Sequence, residues 1–326
     1  MRCSVVALAL LSACDSQDTG DTAGPVGAEW TEVYTSDTTA MSGVWGAGPD
    51  DIWAVGGNQD VADVRHFDGS TWSESAVPDG THLLVWAYGF ASDDVFAVGR
   101  GGSVLHWGGS AWSTLDSGTT RDLWGVWGTS PTDLWIVGGE VTGTWPLILH
   151  YDGTSFTEVP VETDQNQHGG VALFKVWGID GKVWAVGDLG LIVEWDGTRW
   201  VEEFGGPFAN DDFVSLWGNS ATDVVAVGGR GNGRIARYDG TTWTTEMPDA
   251  MTGLNAVYVS GDDAWIGGIY GFTGTYDLAS GDVVKDPLVT TDDVHAIWSD
   301  GAGHAYGVGG VFAEPYRGFL IRREVP

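Results

Sequence analysis

The sequence predicts an all-β fold, a seven-bladed β-propeller of four-stranded blades, and three observations predict it. The phrase VWAVGDLGLIVEWDGTRW at 183–200 recurs in looser copies along the chain. The copies follow one another at a nearly constant interval, and the two ends of the chain carry complementary parts of one unit. Short apolar segments in fours, repeated with a period of about 40 residues, are what a propeller requires.

Each unit opens on an apolar-Trp-Gly strand. Aligning on it gives Trp45, Trp86, Trp127, Trp177, Trp217, Tyr258 and Trp298, with spacings of 41, 41, 50, 40, 41 and 40 residues. A second strand of the form DIWAVGG or DLWIVGG follows, then a third such as VLHWGG or LILHYDG, then a fourth such as STWSES or TTWTTE. All four are rich in Val, Ile, Trp and Tyr and bounded by Gly, Asp, Ser and Thr, which marks strands joined by tight turns. The last unit lacks a fourth strand, and Glu29 to Tyr34 (EWTEVY) matches that slot ahead of the first complete unit. The N-terminal strand is therefore expected to complete the seventh blade, covering an edge that would otherwise pair with other chains.

Upstream of the ring, residues 1–13 read as a lipoprotein signal peptide, with a short apolar run and the small-residue sequence Leu11-Ser12-Ala13 before Cys14. Cys14 is the expected lipidation site, residues 14–28 a flexible acidic tether, and residues 29–326 the propeller. The apolar run is too short to span a bilayer. With Cys3 in the signal and Cys14 lipidated, the ring itself has no thiol, which excludes disulfides and thiolate chemistry there. The formal charge of −31 disfavours nucleic acid and anionic membranes, leaving the lipid as the membrane contact. The expected location is the bacterial cell envelope, periplasmic or surface-facing, as a monomer.

Of the nineteen tryptophans, six fall in the first-strand slot as aligned above, four in the second (Trp53, Trp135, Trp184, Trp265), two in the third and five in the fourth. These read as packing between blades, as does Trp124, in a slot assigned to Leu83, Phe174 and Val214 elsewhere; Trp145 alone has no repeat slot. His66, His106 and His150 share one register, but neighbouring blades lie about 10 Å apart, too far for a shared zinc. They are expected as polar caps on blade packing, with Glu194 and Arg237 in that role in the next two units. The aspartates that open the second strands read as turn formers, and with no DxDxDG loop present, calcium is at most a weak possibility. No metal site is expected.

The stretches FDGSTW (67–72), YDGTSF (151–156), WDGTRW (195–200) and YDGTTW (238–243) resemble the BNR or Asp-box repeat of sialidase-type propellers and the related YCF48-like photosystem assembly factors. The resemblance covers 29–326 and implies the propeller fold; its motif specifies a hairpin turn and carries no chemistry. A sialidase would need an arginine triad around the channel, and the eleven arginines show no such repeated framing.

Connection lengths vary in two classes, second-to-third strand and fourth-to-next-first, which emerge on one face of an up-and-down blade. The excess of the 50-residue unit lies in the loops carrying Trp145 and Gln165, Asn166, Gln167 and His168. Trp145, Gln165, Asn166 and His168, with Arg230, Phe312 and Tyr316 around the rim, are the expected ligand-binding residues. No catalytic residue is assigned. The expected function is a lipid-anchored binding or assembly module for an envelope protein or a glycan. The alternative is a glycan-cleaving hydrolase or lyase, which a carboxylate pair at catalytic separation on the variable face would favour.

Overall fold

The computed structural model describes residues 29–140, 145–163, 171–203, 211–248, 251–301 and 304–324. They form seven antiparallel sheets in a ring, each laid out from the axis in chain order. The inner strands are Ala40–Gly48, Leu84–Ala91, Leu123–Ser130, Leu173–Ile179, Phe213–Ser220, Leu254–Ser260 and Asp293–Ser299, and each packs on the inner strand of the next blade. The seventh blade ends in Arg317–Glu324, and Trp30–Ser36 pairs antiparallel along it as the outer strand, with Trp30 opposite Arg323. The expected closure is thus present. Among the described residues no helix is long and apolar enough to cross a membrane.

One register differs from the sequence reading. Trp45, Trp127, Trp177, Tyr258 and Trp298 each face a second-strand aromatic across the ladder, and in the second blade the residue in that position is Tyr88, opposite Phe96. Trp86 therefore does not belong to the series, and the first two spacings are 43 and 39. The physical reason lies in the glycine that follows the aromatic in the first five blades. Trp298 lies on Gly46, Trp45 on Gly89, Trp127 on Gly178 and Trp177 on Gly218, where a Cβ would come within 2.6–3.0 Å of the indole. At these four junctions one blade's tryptophan needs the glycine of the next blade, so the aromatic-Gly pair marks the register there. In the second unit that pair is Tyr88-Gly89 inside VWAYGF.

Farther from the axis, second-strand tryptophans join adjacent blades. Trp53 meets Trp107 and Trp112 of the second blade at 4.9 and 5.3 Å, and Trp135 meets Trp195 and Trp200 of the fourth at 4.8 and 5.2 Å. The three histidines cap these stacks. His66, His106 and His150 hydrogen-bond to Asp51, Asp94 and Asp133 at 2.7, 2.8 and 2.7 Å while lying over Trp53, Phe96 and Trp135. The next blade reverses the charges, Lys182 donating to Glu194 at 2.7 Å, and the fifth sets Arg237 3.8 Å from Asp223.

The far face carries the Asp-Gly hairpins. In each, one aspartate oxygen accepts the backbone N–H two and three residues on, as Asp68 does from Ser70 and Thr71. These bonds to the charged form hold Asp68, Asp152, Asp196 and Asp239 down at about 2. The fourth blade gains a fifth strand that the sequence did not announce: Val161–Glu162 runs parallel to Trp200–Glu203, tied by Arg199 to Glu162 at 2.7 Å.

Candidate functional site

All seven inner strands break register at their first turn from the variable face. The bulged residues are Ser42, Val85, Trp124, Phe174, Val214, Asn255 and His295. A bulge re-aims a side chain that the ladder would hold between sheets. Here all seven turn toward the axis and line one cavity of about 310 Å³, together with Lys175, Asp212, Arg230 and Phe312. Its wall is divided by blade. Val85, Trp124, Phe174 and Val214 make an apolar arc over blades two to five, and Asn255, His295 and Ser42 a polar arc over blades six, seven and one. Trp124 meets Phe174 edge-on at 6.0 Å and donates to the Gly139 carbonyl at 2.8 Å, so it is a channel wall rather than blade packing; its slot in the second blade holds Val85, not Leu83.

The position after each bulge is Gly43, Trp86, Gly125, Lys175, Ser215, Ala256 and Ala296. Six are compatible with close packing of inner strands because they are small or, as with Trp86, are offered room by Gly125, which leaves no side chain between blades two and four. The Trp86 ring thereby reaches Lys175, whose Nζ stands 3.0 Å from the ring centroid. Lys175 is 7 % exposed and makes no hydrogen bond or ion pair among the described residues. Burial alone pushes its ammonium well below the usual lysine range. Burial also lowers His295, which contacts the Gly310 carbonyl at 3.2 Å and the Phe312 ring at 4.7 Å.

At the mouth, three blades carry the same short second-to-third turn, VGRGGSV, VGDLGLI and GGIYGFT. Its central residue is left-handed in all three: Gly101 (φ 65°), Leu189 (54°) and Tyr270 (60°). Its N–H is taken by an aspartate of the following blade, Asp122, Asp212 or Asp293, at 2.9–3.1 Å. The Asp212 carboxyl also hydrogen-bonds with that of Asp188 and pairs with Arg230, which lies 3.7 Å from Asp188. Burial and the neighbouring Asp188 carboxyl raise Asp212 to about 6, against the lowering by the Leu189 N–H and Arg230. The two acids touch, whereas a glycosidase pair stands about 5 to 9.5 Å apart.

Exposed apolar side chains are concentrated on this face. Of the eight large ones among the described residues, Val61, Trp145, Leu189 and Tyr270 lie in second-to-third connections and Met247 and Leu288 in fourth-to-first connections, all on the variable face. Only Val33 and Val284 lie elsewhere, on outer strands. Of the residues expected from sequence, Trp145 is 52 % exposed, with its carbonyl held by Arg121, and lines none of the cavities described. Arg230 and Phe312 meet at the channel, and Phe312 and Tyr316 share a larger groove of about 920 Å³ with Asn58 and Gln59. Gln165, Asn166 and His168 lie outside the described residues, as does Cys14. Sequence reasoning missed Lys175, the bulge series and the left-handed pair Leu189 and Tyr270. A signal existed for the first and the last: a lysine inside the apolar strand LFKVWG, and bulky residues where a sister turn has glycine. Among the described residues no three His, Cys, Asp or Glu gather as a metal site.

The architecture has many solved counterparts. YCF48 from Cyanidioschyzon merolae is similar, at 17 % identity, a TM-score of 0.68, 92 % of this chain and 99 % of that one. A structure of YCF48 bound to D1 peptide matches at 15 % identity, a TM-score of 0.67, 91 % of this chain and 96 % of that one. The WD40 repeats of RRP9 match at 11 % identity, a TM-score of 0.70, 92 % and 99 %. At these identities the likeness establishes the fold. No family model matches the chain. No curated protein matches it either.

Proposed function

We propose that this protein is a binding or assembly module whose partner is a protein segment seated on the variable face, and that lipid on Cys14 holds it in the bacterial cell envelope. The observation that carries the reading is that exposed Trp145, Leu189, Tyr270, Met247 and Leu288 all lie in connections of the one variable face, on a chain that is otherwise strongly acidic. Exposed apolar side chains concentrated on one loop face of a rigid scaffold favour a protein-contact surface. Leu189 and Tyr270 strengthen it, since a bulky residue in the left-handed region costs stability that a glycine would not. The likeness to YCF48, a structure of which holds D1 peptide, agrees with a peptide-binding use of this architecture. The contact between Asp188 and Asp212 supports binding over glycan cleavage.

The test uses the protein as bait in a native envelope extract, alongside a Trp145→Ser/Leu189→Asp/Tyr270→Asp variant and a far-face variant, Thr154→Asp/Thr198→Asp. The expected result is a protein partner retained by wild type and the far-face variant and lost by the first variant. Retention by all three, or a polysaccharide or cleaved glycan in place of a protein, would refute the reading.

A further inference from the structure

The cavity on the axis is chemically distinct from the surface around it. It is small, one wall is apolar with the Trp124 and Phe174 rings set nearly at right angles, the opposite wall carries an amide, an imidazole and a hydroxyl, and it holds a primary amine with no acid beside it. A buried lysine nearly always has a carboxylate partner. The acids that could have served are committed elsewhere: Asp212, on the same cavity, is engaged by Asp188, Arg230 and the Leu189 N–H. What the Lys175 amine has instead is the face of Trp86, which stabilises a cation and supplies no hydrogen-bond acceptor. Only three lysines occur in the chain, and the other two sit in outer positions on Lys182–Gly187 and Val283–Lys285.

We infer that the axial cavity is a binding site for a small aromatic carboxylate, its ring against Trp124 and Phe174 and its carboxylate on the Lys175 amine. A volume of about 310 Å³ is at the lower end for ligand sites, so the ligand is a one- or two-ring acid rather than an oligomer. Asn255, His295 and Ser42 offer further hydrogen bonds to its oxygens. The charged groups facing the site are Lys175, Arg230, His295 and Asp212, and Asp212 is paired with Arg230. An incoming carboxylate supplies the acceptor that the amine lacks and favours its protonated form. This site does not depend on the protein-binding reading above, since a segment on the outer loops and a small acid on the axis use different residues.

The test is isothermal titration of the full protein with benzoate, phenylacetate and indole-3-acetate. Methyl phenylacetate and 2-phenylethylamine serve as uncharged and cationic controls. Expected is saturable one-to-one binding of at least one acid, weakened tenfold or more in Lys175→Met and in both controls. Val214→Trp, which fills the cavity with a residue that the same slot already accepts at Trp124, should also abolish it. The inference fails if no acid binds at millimolar concentration, if the ester or the amine binds as tightly, or if binding survives Lys175→Met or Val214→Trp.

Discussion

Closure by the N-terminal strand makes a quantitative prediction. Trp30 is 4 % exposed, packs with Trp265, Ile297 and Ile321, and donates its indole N–H to Asp286 at 2.9 Å. Trp30→Ala removes that packing and leaves a cavity, at a cost of about 3–5 kcal/mol for a buried Trp or Phe. The orphaned acceptor adds little, because Asp286 keeps Arg323 at 3.2 Å. A ring of roughly 300 residues has an unfolding entropy near 0.6 kcal/mol/K, so the loss corresponds to a fall in melting temperature of about 5–8 °C. Calorimetry of the variant beside Trp145→Ala, whose side chain is half exposed, gives the comparison, and the latter should move the midpoint by less than about 1 °C. If Trp30→Ala melted with wild type, the N-terminal strand would not be closing the ring. If the variant showed two separated transitions, the blades would not be one cooperative unit.

Lys175→Met should raise stability at pH 7. The folded state depresses this ammonium, so the unfolded chain binds more protons up to about pH 10.4, and the wild-type deficit should shrink toward that pH. Denaturant titrations at pH 7 and 10 that show an unchanged gap would contradict an uncompensated amine. Asp212 has the opposite linkage: its folded value lies above the unfolded one, so its contribution is present below about pH 4 and lost as pH rises through about 6. Asp212→Asn should flatten the wild-type decline across that window, and an identical profile would argue against a raised Asp212. Leu189→Gly and Tyr270→Gly should each stabilise the ring by about 1 kcal/mol while weakening partner binding, because the left-handed backbone suits the glycine found at 101. A destabilised Tyr270→Gly would show that the tyrosine packs locally instead of serving a partner.

The repeat determined much of this molecule before any coordinates. Period and strand count fixed seven blades, because each unit can bury its faces only against a neighbour, and the split unit at the termini fixed how the ring closes. The histidine register was legible as well, since a residue repeated in one slot repeats one environment, here an aspartate across the ladder and an aromatic beneath. One alignment failed, at Trp86, because apolar-Trp looks like the repeat while the packing needs aromatic-Gly, and only the approach of Trp45 to Gly89 shows which residue is equivalent. The candidate site was decided by tertiary structure for a related reason. A bulge reverses which way a strand residue points, so Trp124, Phe174 and Val214 read as blade packing along the chain and face the axis in the ring. Lys175 becomes a buried amine against Trp86 only because Gly125, fifty residues from its partner slot, puts nothing between two blades that are not neighbours in sequence. Periodicity reports what the repeats share, and this site is made of one different residue from each.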